Sequence, residues 1–154
     1  MPTIGDHFSE EQKRTYIKNN FSLGNIYYLF CRFTNPNKNK YLLLVCADPE
    51  PIFFVINSAV NQFISKMPEL YQCQVCIDVG HHQFLDYDSY ANCTEPIRID
   101  YSEIENQLLS DMSRFKGKII PEVQEKVLSA VHKSRTINRR DKELIMTSLI
   151  NSLP

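Results

Sequence analysis

The stretch NKYLLLVCADPEPIFFVINS, Asn39 to Ser58, decides the fold. Two strongly apolar runs flank Asp48-Pro49-Glu50-Pro51. Proline has no N–H to give to a strand ladder, so this segment reads as a turn joining two strands. IFFVIN is apolar at every position but the last, which predicts a strand buried on both faces. The pair opens on Lys40 and closes on Asn57-Ser58. A cation at the start of one strand and a hydroxyl at the end of its neighbour can meet at one rim of a sheet.

Upstream, IYYLFCRF (Ile26 to Phe33) follows Gly24 and is rich in aromatic residues, as strands are. The polar loop TNPNKN leads from it into KYLLLVC, completing a hairpin. Ser9-Glu10-Glu11-Gln12 has the form of a capping box and predicts a short helix from Glu10 toward Lys18. Downstream, NSAVNQFISKMPELYQ fits a loop or a helical turn equally well. CQVCIDV, QFLDYDSYANC and PIRID have the composition of further short strands. The period then changes. SEIENQLLSDM is helical, with Ile104 and Leu108 on one face, and FKGKII is a last short strand. Pro121 suits the first position of a helix whose Val123, Val127, Ala130 and Val131 form an apolar stripe. Asn138 caps a final helix carrying Leu144, Ile145 and Leu149.

Short strands in the first two-thirds followed by helices make an α+β pattern. Strands this short avoid bare edges by curling into a small closed or half-open barrel, with the helices capping its openings. The 154 residues are expected to form a single domain, 1–154, with a barrel core over about 23–120 and C-terminal helices over about 121–152.

Composition narrows the function. No apolar run approaches the roughly 20 residues of a membrane span, and MPTIGDHFSEEQKR lacks the features of a signal peptide. Five scattered cysteines, an odd number, read as reduced thiols and point to the cytoplasm. Cys73 and Cys76 form a lone CxxC in a strand-like context, without the second pair a zinc site needs. His81-His82 lie near Asp86 and Asp88, but neighbours on a strand point to opposite faces and do not converge on one ion. With four glycines and no P-loop, dinucleotide or nucleophile-elbow motif, most familiar enzyme classes are excluded. DYDSYANC reads as a partly exposed strand whose Asp88 and Ser89 bond the local backbone.

Charge is segregated along the chain. From Lys13 to Ala47 there are six basic residues and no acidic ones, whereas Asp48 to Asp111 holds eleven acids against Lys66 and Arg98. Such a block can build a local positive surface on a chain whose net charge is only -1.

The order of these elements resembles the PemK/MazF-like toxin family. The resemblance is carried by GNIYYLFCRF, KYLLLVC, FFVINS, FLDYDSY and SRFKGKI ahead of the Val-rich helix, over about Leu23 to Val131. It implies an SH3-like antiparallel barrel with helices added at the N- and C-terminal ends. It also implies a homodimer that cleaves single-stranded RNA without metal or cofactor, held in check by an antitoxin whose flexible segment blocks the RNA groove. The family's active-site pair is an Arg at the start of the second strand and a Thr or Ser at the end of the third. Lys40 and Ser58 occupy those positions, with Asn57 beside them. Lys40 is a departure: an ammonium is a point charge that can titrate, where a guanidinium is a rigid fork. Arg32, Lys38 and Asn39 are expected to contact the RNA backbone. The alternative from another class is a barrel kept as a non-catalytic interaction module, binding a protein partner or RNA.

Overall fold

The computed structural model describes residues 8–154. Helix α1 (Glu10–Asn19) opens on the expected capping box, Ser9 Oγ accepting from the Gln12 N–H. Strands β1 (Asn25–Cys31), β2 (Lys38–Cys46) and β3 (Ile52–Asn57) form an antiparallel meander. The ambiguous segment after Ser58 resolves into two short helices, α2 (Gln62–Ser65), capped by Asn61, and α3 (Pro68–Tyr71). Strands β4 (Gln74–Ile77), β5 (Ser89–Asn92) and β6 (Ile97–Arg98) follow, then α4 (Tyr101–Ser110). A 3-10 turn (Met112–Arg114) leads into β7 (Phe115–Lys118), and α5 (Pro121–Lys133) and α6 (Arg139–Ser152) end the chain.

All seven strands belong to one curled antiparallel sheet in the order β4-β5-β3-β2-β1-β7, with β6 pairing on β3. Its end strands β4 and β7 are not paired with each other, so the barrel is half open. The fold class is α+β, as the sequence predicts.

The sheet separates two apolar cores. On one side Ile26, Leu43, Val45, Phe54 and Ile56 pack with α5 and α6 through Val123, Val127, Val131, Ile145 and Leu149. On the other, Tyr27, Leu29, Leu42, Leu44 and Phe53 pack with Ile17 of α1 and Ile104 and Leu108 of α4. This explains why β2 and β3 carry no polar alternation along their middles: a strand covered by helices on both faces has no solvent face to mark. The Val-rich stripe of α5 is therefore core. Gln124, also buried, donates to Leu149 O at 3.2 Å and so ties α5 to α6. Arg98 spans the first residues of α6 and the turn before β3, donating to both Asp141 carboxylate oxygens and to Glu50.

Two expectations are corrected. The first strand stops at Cys31 rather than Phe33, leaving Arg32 and Phe33 in the connecting loop. FLDYDSY is mostly loop, and only Ser89 and Tyr90 of it are in β5. The loop is held by side chains that a strand could not accommodate. His82, fully buried, donates through Nδ1 to Asp78 O at 2.8 Å and accepts at Nε2 from the Ile120 N–H at 3.1 Å. Phe84 lies over Gly117, where a Cβ would come within 2.4 Å of its ring. Ser89 donates to Tyr87 O at 3.1 Å, the local backbone bonding expected of it, whereas Asp88 accepts at 2.8 Å from the Val79 N–H across the loop.

No helix among the described residues is long and apolar enough to cross a membrane. The expectation about a signal peptide rests in part on residues 1–7, outside those described.

Candidate RNA-binding and catalytic cleft

The geometry of the site follows from hairpin register. In β1–β2, Tyr28 faces Tyr41, Leu29 faces Lys40, Phe30 faces Asn39 and Cys31 faces Lys38. In β2–β3, Tyr41 faces Ile56, so Lys40 comes opposite Asn57 one step further. Side chains alternate across a sheet. Lys40 and Asn57 therefore share the face of Leu42 and Val55, while Asn39 and Tyr41 share the opposite face with Tyr28.

At the polar ends noted in the sequence, Lys40 meets the Asn57 amide, and the Ser58 hydroxyl makes no hydrogen bond among the described residues. Lys40 Nζ donates to Asn57 Oδ1 at 2.9 Å. Lys40 is the third residue of β2, and Ser58 lies just past the end of β3. Both, with Asn57, line a cleft of about 350 Å³ at the rim of the half-barrel. Partial burial, followed by the like charge of Lys38, lowers the Lys40 pKa from the usual lysine value, with Cys31 opposing in the other direction. Loss of hydration penalises the charged amine, and a second cation penalises it further.

Tyr28 and Tyr41 line the same cleft, their ring centroids 4.7 Å apart and tilted by 45°. Arg114 Nη1 donates to Tyr28 O at 2.8 Å and to Asn39 Oδ1 at 2.9 Å, which fixes the Asn39 side chain. Lys116 Nζ stands 5.8 Å from the centroid of the Tyr28 ring. The opposite wall is the His82-anchored loop, which contributes Leu85, Asp86 and Tyr87. Burial, then the Asp86 carboxylate, pushes the Tyr41 phenol above its ordinary pKa.

Of the residues singled out from sequence, Lys40 and Asn57 are in contact, and Ser58 and Asn39 line the cleft with them. Lys38 is exposed on the face of Lys40, opposite Cys31. Arg32 turns toward α4, its guanidinium 5.7 Å from the Phe30 ring and 3.8 Å from Glu103. It remains largely in solvent, beside the cleft rather than in it.

Sequence reading missed Tyr28, Tyr41, Arg114, Lys116 and the loop residues Asp86 and Tyr87. The signal was present in part: SRFKGK gathers three cations, Arg114 in the 3-10 turn and Lys116 and Lys118 on the short strand after it. Nothing local in the sequence places that strand beside β1.

His81 and His82 do not converge as a metal pair. His81 contacts Asp78 at the surface while His82 is buried, and among the described residues no group of three or more His, Cys, Asp or Glu side chains is arranged to hold an ion. All five cysteines are free thiols.

Fold and site together define a half-open α+β barrel with a basic, tyrosine-lined cleft at one rim. No family model matches the sequence, and no curated protein matches it. Among solved structures, the chain is similar to the Mycobacterium tuberculosis toxin MazF-mt6, at 12% identity over 69% of this chain and 90% of that one, with a TM-score of 0.47.

Proposed function

We propose that the protein is a toxin-like endoribonuclease that cuts single-stranded RNA without metal. The observation that supports this reading most directly is the 2.9 Å contact of Lys40 with Asn57 at the rim of a cleft lined by paired tyrosines. As the 2′ oxygen bonds to phosphorus and the P–O5′ bond breaks, the 2′-OH proton passes to solvent water, a cation stabilises the negative charge growing on phosphorus, and a proton is given to the departing 5′ oxygen. A lysine of lowered pKa is a better acid than an ordinary one and is suited to the last two of these.

In this mechanism Asn57 holds the ammonium by its carbonyl oxygen, leaving its amide N–H groups for a phosphate oxygen. The exposed Ser58 hydroxyl positions the reacting oxygens. Unstacked bases lie on Tyr28 and Tyr41, as single-stranded RNA does on aromatic side chains. Asn39, held by Arg114, together with Lys38 and Arg32 contacts the flanking phosphates. No metal or cofactor takes part. The protein acts as one domain over residues 1–154 and as a cytoplasmic homodimer, and an antitoxin segment that occupies the cleft silences it.

The test is incubation of purified protein, with excess chelator, against a mixed single-stranded RNA, followed by analysis of the fragment ends. Fragments with 2′,3′-cyclic phosphate and 5′-OH ends, absent with Lys40→Ala, are expected. RNA that is bound but left intact would sink the nuclease reading in favour of a non-catalytic interaction module.

A further inference from the structure

Among the described residues, Asp86 is the sole carboxylate lining the cleft. Among the described residues it makes no ion pair or side-chain hydrogen bond, unlike its neighbour Asp88, which is occupied by the Val79 N–H. A carboxylate accepts and does not donate, and it repels phosphate, so it opposes binding of a phosphate in this cleft unless the ligand brings donors to it.

Which part of a nucleotide could do so follows from the alternation of side chains along β2. Lys40 and Asn57 are on one face of the strand pair. Tyr41, which lines the cleft with Asp86, is on the other. A nucleotide whose phosphate lies at Lys40 and whose base stacks on Tyr28 and Tyr41 therefore brings its base, not its phosphate, to the side of the strand pair on which Tyr41 stands. The buried His82 and the Phe84 ring seated on Gly117 tether the loop that carries this carboxylate, so its position is set in advance.

We infer that Asp86 is a specificity-determining residue that selects a guanine base stacked on Tyr28 and Tyr41. Guanine alone offers a carboxylate two adjacent donors, N1–H and the 2-amino group. Uracil offers one donor between two carbonyl oxygens, and adenine and cytosine each offer an amino group beside a ring acceptor. A bidentate base contact of this kind discriminates by roughly tenfold to a hundredfold.

The inference rests on the cleft binding single-stranded RNA, but not on cleavage, and its test keeps the two apart. Fluorescence anisotropy would follow binding of uridine heptamers with one central G, A, C or U, made with 2′-fluoro sugars that lack the attacking hydroxyl. The G oligomer is expected to bind about tenfold to a hundredfold more tightly than the U oligomer. Asp86→Asn, which presents one acceptor and one donor, is expected to lose that preference and bind the A or C oligomer at least as well as G. Asp86 is exposed, so the variant should fold, and its thermal melt serves as the control.

Equal affinity for all four oligomers, no binding of any, or a guanine preference untouched in Asp86→Asn would each overturn the inference. A guanine preference in a protein that leaves ordinary RNA intact would uphold it while refuting the nuclease. If Asp86 instead took the proton from the 2′-OH, Asp86→Asn would lose kcat on every sequence with its binding preference unchanged. That result too would overturn the assignment.

Discussion

Strand β2 contains two regions that obey different rules. From Leu42 to Cys46 every side chain is 0% exposed, because helices cover both faces of the sheet. From Lys38 to Tyr41 the same strand emerges from the cores, with Tyr41 still packed against one of them, and specific partners set three of its four side chains: Lys40 by Asn57, Asn39 by Arg114, Tyr41 by Tyr28. The inner half is determined by volume and apolarity, and many sequences could satisfy it. The outer half is determined by charge and hydrogen-bond geometry, and single exchanges should change what it does while leaving the fold in place.

The sharpest way to test that division is a substitution in each half. Phe54→Ala removes a fully buried ring beside β2 and should cost about 3–5 kcal/mol of stability, read by urea unfolding. A loss below about 1 kcal/mol would mean that the core is not packed as described. At the outer half, Lys40→Ala should lower the cleavage rate by about 10²–10³-fold, the usual cost of losing one group that stabilises developing charge. Its urea midpoint should barely move, because Lys40 is only part-buried. A rate unchanged within twofold would remove Lys40 from the site.

Asn39→Ala leaves Arg114 with only its bond to Tyr28 O. Binding of single-stranded RNA should weaken by about tenfold to a hundredfold, the worth of one hydrogen bond to a charged group, with stability nearly unchanged.

The subtlest exchange is Lys38→Gln. Lys38 lowers the Lys40 pKa, second only to burial, so removing its charge should move the alkaline limb of the pH–rate profile to higher pH. An unmoved limb would mean that Lys40 is not the acid. The same shift has a sign for stability. The folded chain holds the Lys40 proton less tightly than the unfolded chain does, so this residue disfavours folding while charged. Stability should therefore rise with pH between the lowered pKa and the ordinary lysine value, and Lys40→Met should flatten that rise.

How much of this was legible beforehand depended on whether the signal was local. Ser9 with Gln12, and Asn138, mark helix starts through bonds made within one turn, Pro121 marks one through its fixed φ and missing N–H, and each helix begins where they predict. The prolines at 49 and 51 break the ladder by their own chemistry. FLDYDSY misled because its alternation of apolar and polar residues suits a strand equally well. The loop exists because His82 reaches Ile120 and Phe84 reaches Gly117, contacts across some 33 to 38 positions of chain that no local pattern encodes.

The sequence by itself determined the α+β class, the buried middle of β3, the helical ends, and the approach of the start of β2 to the polar end of β3. Those follow from periodicity, turn chemistry and the short connection between two antiparallel strands, which brings Lys40 and Asn57 together once the register is set. Only the tertiary structure decided the rest of the cleft. It set β7 against β1, bringing Arg114 and Lys116 to Tyr28, and it anchored the 78–88 loop so that Asp86 lines the cleft with Tyr41. A cleft is assembled from residues distant in the chain, and which of them face each other is fixed by packing both faces of the sheet at once.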